Sequence, residues 1–190
     1  MICFSTRTFL SRTVLVLASI LPSFLTSCGE APSESSAYLA SISSNNKPGF
    51  QNDSRFPTTP DSQMTPGSKC SKPDSYRYSE RVPYCERDVE TSRKARLFVA
   101  YDRELGFTTG HMQRTQFKID HHIPLCMGGS NENDNLWPQH STVYELTDPA
   151  EGYLCEQMSS GRLRQAQAIA IIREMKQAPD RARQILPDAF

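Results

Sequence analysis

The stretch FKIDHHIPLCMGG, residues 117–129, sets an aspartate and two histidines in a row between apolar residues and closes on two glycines. The chain has only four histidines, so placing two of them side by side behind a carboxylate calls for a physical reason. Each of the three side chains can bind a cation or move a proton, and each must be desolvated or paired if it approaches a core. On an ideal strand Asp120 and His122 share one face while His121 points to the other. Alternation alone therefore pairs the carboxylate with the second histidine. Pro124 removes a ladder donor and marks a strand end, where alternation is weakest. Residues 115–125 are short and rich in β-branched and aromatic side chains, and Gly128-Gly129 ends them in a hairpin or wide turn. The residues by themselves allow a divalent-cation site and leave its reaction open.

Working outward, residues 88–105 read as a helix. Asp88 is at its start, Val89, Leu97, Phe98, Tyr101 and Leu105 recur near helical spacing, and Gly106 follows. Arg93, Lys94 and Arg96 on this helix read as a solvated face first and as a DNA contact second. After the glycine pair comes SNENDNLWPQ, a polar loop pinned by Leu136 and Trp137. A helix then starts at Ser141 or Thr142 and is interrupted at Pro149, with further helices expected over residues 150–159 and 163–177. The order of helix, two strands and helices gives an α+β domain.

The first third of the chain is organised differently. Arg7 and Arg12 precede an apolar run at residues 14–25 that is broken by Ser19, Pro22 and Ser23, too short to span a bilayer comfortably and readable as a secretory signal over residues 1–27. The next residues, Leu25-Thr26-Ser27-Cys28, resemble the bacterial lipobox, whose cysteine is lipidated and becomes the mature N-terminus. Residues 28–68 are accordingly expected to be a lipidated Cys28 followed by a tether. Of the 40 residues 29–68, 23 are Ser, Pro, Asn, Thr or Gly, too polar to offset chain entropy by burial. The domain is then residues 69–190, outside the cytoplasm, on a membrane-anchored lipoprotein of the periplasm or cell surface. Cys3 leaves with the signal, so Cys70, Cys85, Cys126 and Cys155 remain. An even number of cysteines in an exported domain predicts two disulfides, with three connectivities open, and no C-x-x-C pair favours a structural zinc.

Loss of Arg7 and Arg12 leaves 19 basic and 21 acidic residues, a net charge of −2, which excludes a generally basic polyanion binder. The distribution carries more. Residues 69–118 hold 11 Lys and Arg against 7 acids, residues 162–190 hold 6 against 3, and residues 119–161 hold seven acids with no Lys or Arg. An acidic centre between basic segments suits a cation facing a phosphate backbone.

The string Asp120-His121-x-x-Pro124-Leu125-x-x-Gly128-Gly129, followed by Asn135-Leu136-Trp137-Pro138-Gln139, resembles the signature of the HNH endonucleases in their extracytoplasmic branch. The flanking YCERDVETSRKARLFVAYD and SSGRLRQAQAIAIIREMK extend the likeness to residues 84–176. It implies a ββα-metal (HNH, His-Me finger) core in which a β-hairpin and a helix clamp one divalent cation, Mg²⁺ first, with Mn²⁺ or Zn²⁺ as alternatives. Position by position, it implies Asp120 as a metal ligand and His121 as the general base that takes a proton from the attacking water. It makes His122, at a place usually apolar in the family, structural, and Asn135 the brace of the loop that shapes the hairpin. The pattern departs at the helical ligand, where Tyr144 stands with Glu145 beside it. His140, at the start of the helix, is the best substitute as second ligand, with Glu145 in reserve. The implied function is an endonuclease hydrolysing phosphodiester bonds of nucleic acid, DNA ahead of RNA, with low sequence specificity. The rival reading is a non-catalytic, disulfide-braced binding lipoprotein on the same fold.

Overall fold

The computed structural model describes residues 53–190. The expected signal segment, Cys28 and most of the expected tether lie outside the described residues. The rest of that tether is not free chain: Phe56 and Thr65 are buried, the Thr65 hydroxyl lies 2.6 Å from the Tyr101 hydroxyl, and Gly67 N–H donates to the Asp134 carbonyl at 2.8 Å. The folded part thus begins upstream of the expected boundary at residue 69. A Pro- and Ser-rich composition did not prevent packing, because one aromatic ring and a few turn hydrogen bonds hold the segment down.

The domain is α+β. A small hairpin that composition did not suggest pairs β1 (Ser75–Arg77) with β2 (Val82–Tyr84). Helix α1 follows at Thr91–Leu105, starting three residues later than expected, with Glu90 rather than Asp88 at its N-terminal boundary. Gly106 ends it in the left-handed region, φ 77°, where its N–H reaches the Asp102 carbonyl. Leu97, Phe98 and Tyr101 are its buried residues.

The central hairpin joins β3 (Phe117–His121) to β4 (Leu136–His140) in antiparallel register, from Phe117 opposite His140 to His121 opposite Leu136. The expected strand at 115–125 is shortened at both ends by single-turn helices, at Arg114–Gln116 and Leu125–Met127. Its partner is the segment read as loop: Leu136, Trp137, Pro138, Gln139 and His140 are all buried. Pro138 lacks a donor, yet an outer strand of a two-stranded sheet tolerates that loss.

β4 runs directly into α2 (Ser141–Ser159), a single helix where two were expected. Pro149 removes one backbone hydrogen bond, while Val143, Thr147, Ala150, Leu154 and Met158 bury one continuous stripe on either side of it. Helix α3 (Gln165–Gln177) lays Ala168, Ile169, Ile172 and Met175 into the same core as Leu154 and Met158, and the short α4 (Ala182–Ile185) closes it through Ala182. No helix among the described residues is long and apolar enough to cross a membrane.

All four domain cysteines are paired, Cys70 with Cys85 and Cys126 with Cys155, at Cα separations of 5.8 and 6.0 Å. Two disulfides fit an oxidising, extracytoplasmic compartment. They close loops of 15 and 29 residues, for which chain entropy gives about 3 to 3.5 kcal/mol each. The double variant Cys126→Ser/Cys155→Ser is expected to unfold at lower urea, by about 3 kcal/mol in extrapolated stability. A parent in which mass spectrometry finds these thiols alkylated without reduction would contradict the pairing.

Candidate functional site

Between β3 and β4 the chain makes a tight excursion that one side chain holds together. Asn135 accepts from the Ile123 N–H at 2.8 Å and donates to the carbonyls of Ile123 and Ser130 at 2.9 and 2.8 Å, while its own carbonyl accepts from the His122 N–H at 2.8 Å. The glycine pair makes room for this. Gly128 has φ +84°, and a Cβ on Gly129 would stand 1.8 Å from the Ile123 carbonyl oxygen and 2.9 Å from Asn135 Nδ2. The brace expected at Asn135 is therefore present in full.

That excursion fixes His121, the last residue of β3, which is 3% exposed. Its Nε2 lies 3.0 Å from Asn131 Oδ1 and its Nδ1 lies 3.3 Å from Arg87 Nη1. Asn131 is oriented by donating Nδ2–H to the Glu86 carbonyl at 2.6 Å. Its Oδ1 must then accept, so the imidazole is the neutral Nε2–H tautomer, with the Nδ1 lone pair turned to the guanidinium. Arg87 is tied through Nη2 to the Ile119 carbonyl at 2.8 Å, and Arg93 through Nη1 to the Asn131 carbonyl at 2.6 Å. The histidine ring is thus enclosed by Arg87 and Asn131, with Arg93 joined to them through the Asn131 carbonyl, a rim of which Arg87 is exposed. Arg93 is not the freely solvated residue its helix pattern suggested. Burial, partly offset by Asn131 and reinforced by Arg87, lowers the His121 pKa to about 4, so the ring is unprotonated at neutral pH.

His122 turns the other way. Its Nδ1–H donates to the Thr65 carbonyl at 2.8 Å, it is 2% exposed, and burial lowers its pKa likewise to about 4. It is a packing residue on the N-terminal segment, in keeping with the expected structural role. Both imidazoles have folded pKa values well below the ordinary 6.5, so as pH falls the unfolded chain takes up protons first. Their contribution to stability is complete above pH 6.5 and declines between 6.5 and 4, by about 3 kcal/mol for the pair at pH 5.5. Urea midpoints measured from pH 7.5 to 5 should fall accordingly; a flat profile would mean that the rings are not held neutral. The carboxylate of Asp120, held at about 2, stabilises the fold fully above its ordinary value of 3.8 and loses that contribution only as pH falls below it.

The expected metal ligands do not meet. Asp120 stands opposite Trp137 and His140 opposite Phe117, three residues apart along the ladder, an odd separation that puts their side chains on opposite faces. His140 caps α2 by accepting the Thr142 N–H at Nδ1, 3.3 Å, and stacks on Phe56 with ring centroids 4.0 Å apart. Its Nε2 is buried without a hydrogen-bond partner among the described residues. Glu145, the reserve, is exposed, and Tyr144 faces Lys118 with the ammonium 5.1 Å from its ring centre.

Asp120 instead joins a carboxylate cluster with Asp148 and Glu151, whose oxygens lie within 4.8 Å of one another, an acidic set able to hold a metal ion. Two lysines occupy it. Lys176 Nζ lies 2.6 Å from Asp120 Oδ2, 2.6 Å from the His121 carbonyl oxygen and 3.5 Å from Glu151, and Lys118 Nζ lies 2.6 Å from Asp148 and 3.3 Å from Asp120. The residues do not fit the ion that the resemblance implies, since Asp120 is engaged by two ammoniums and the unpartnered Nε2 of His140 lies on the other face of the hairpin. Sequence reasoning did not find these lysines. The signal was there: Lys176 lies on the apolar stripe of α3, and Lys118 is two residues before Asp120, on its face of the strand.

No family model, no curated protein and no solved structure matches this chain.

Proposed function

We propose that the protein is an endonuclease that hydrolyses phosphodiester bonds of nucleic acid outside the cytoplasm, anchored to a membrane through lipidated Cys28. The observation that carries this reading is His121, a neutral imidazole fixed by Asn131 beneath two arginines at the end of a braced hairpin, in ββα order. A backbone phosphate would draw the Arg87 guanidinium into a charge-assisted pair stronger than its 3.3 Å contact with an imidazole nitrogen. That exchange frees Nδ1. The nitrogen then takes a proton from water as the water oxygen bonds to phosphorus, the bond from phosphorus to the leaving oxygen breaks, and that oxygen takes a proton from solvent. Arg87 and Arg93 face the charge on the non-bridging oxygens. The Asp120 carboxylate, engaged by Lys176 and Lys118, takes no part in the step. With contact through phosphates rather than base edges, little sequence specificity is expected.

A second reading, a binding lipoprotein without catalysis, is favoured by the burial of His121 and the bonding of both its nitrogens. Incubating the purified chain with DNA and with RNA, with and without divalent metals and with a chelator, separates the two. Cleavage that disappears in the His121→Ala variant supports the nuclease. Salt-sensitive binding with no cleavage of either polymer supports the binding protein.

A further inference from the structure

Lys176 is fully buried, yet it lies on the apolar face of α3 beside Met175 and Ile172. An ammonium has three donors and no acceptor, and here they face Asp120 Oδ2, the His121 carbonyl oxygen and, at longer range, Glu151. These are one strand carboxylate, one backbone oxygen of the histidine-bearing strand end and one helix carboxylate, the kinds of oxygen a hard cation would collect. We infer that the Lys176 ammonium is the built-in cation of this site, holding Asp120 and the end of β3 in the place where a divalent metal ion would otherwise bind.

Charge supports the assignment. Asp120 and Asp148 face the two ammoniums of Lys118 and Lys176, and Glu151 adds a carboxyl whose ionisation burial opposes, raising its pKa; the cluster thus lies between neutral and one negative charge, with the side chains of Asp148 and Glu151 46% and 31% exposed. A divalent ion entering the same cluster would turn it positive and face an ammonium with no route to water. Burial works against the charge on Lys176, but Asp120 and Glu151 outweigh it and hold its pKa above the ordinary value, so the ammonium persists at neutral pH. The lysine is a positioning residue: it fixes the carbonyl of His121 from one side while Asn131 fixes the ring from the other.

The test reads metal binding, so it does not depend on activity. Mn²⁺ binding to the full-length chain is followed by loss of the free-ion electron paramagnetic resonance signal, for the parent, Glu151→Gln, Lys176→Met and Lys176→Met/Asp120→Asn. The parent and Glu151→Gln should bind equally weakly. Lys176→Met vacates the cation position and should bind at least tenfold more tightly, with the gain lost in the double variant. Parent binding that drops in Glu151→Gln overturns the inference, as does a folded Lys176→Met that gains nothing. Should Lys176→Met fail to fold, the comparison of the parent with the half-exposed Glu151→Gln decides alone. The consequence for catalysis rests on the nuclease reading: cleavage by the parent should survive a chelator. A parent that cleaves nothing under any condition ends that reading and leaves the binding result to judge Lys176.

Discussion

His121→Ala is expected to lower the rate of phosphodiester cleavage by roughly 10²- to 10⁴-fold, the range for loss of a positioned proton acceptor. The loss should fall on kcat, because the arginine rim that would bind the phosphate does not depend on the imidazole for its main ties. Arg87 is held by the Ile119 carbonyl and Arg93 by the Asn131 carbonyl. His122→Ala should lose far less, because its ring faces Thr65 and not the rim. The pH profile gives a second measure. A general base must be unprotonated, and His121 is held at about 4, so kcat/KM should stay level as pH falls through 6.5, down to the pH at which the chain itself unfolds. An acid limb near 6.5 would point to a solvated histidine instead. If folded His121→Ala cuts as fast as the parent, or if His122→Ala is the inactive variant, the assignment of the base is wrong.

Asn135→Ala should be the most damaging conservative truncation in the hairpin. It leaves the Ile123 N–H and the carbonyls of Ile123 and Ser130 without partners, and both residues are buried. At about 1 to 3 kcal/mol for each orphaned group, with some relief from water, the cost is on the order of 4 kcal/mol. Asn135→Asp should not rescue it. An aspartate can still accept from the Ile123 N–H, but it offers no donor to the two carbonyls and brings a charge into a closed turn. Urea unfolding of the three proteins measures this directly, and an alanine variant within 1 kcal/mol of the parent would mean that the clamp contributes little.

The sequence by itself determined a good deal. Local rules of spacing and turn chemistry were enough for an α+β domain built on a hairpin, for helices at residues 91–105 and 165–177 within a few residues, for the Gly128-Gly129 turn and for the even count of paired cysteines. Each of these depends on residues close in sequence, or on an oxidising compartment. What only the tertiary structure decided is what each polar group faces. β4 read as loop because five consecutive residues buried on both sides of a strand show no alternation. Residues 53–68 read as tether because one phenylalanine among serines and prolines is no signal until its partner, His140, is in place. The two expected metal ligands share a hairpin, but whether they share a face depends on register, and register is a pairing between strands that neither strand specifies alone. Lys176 lies 56 residues from Asp120, and only the packing of α3 against β3 turns an ordinary helical lysine into the counter-charge of a buried carboxylate.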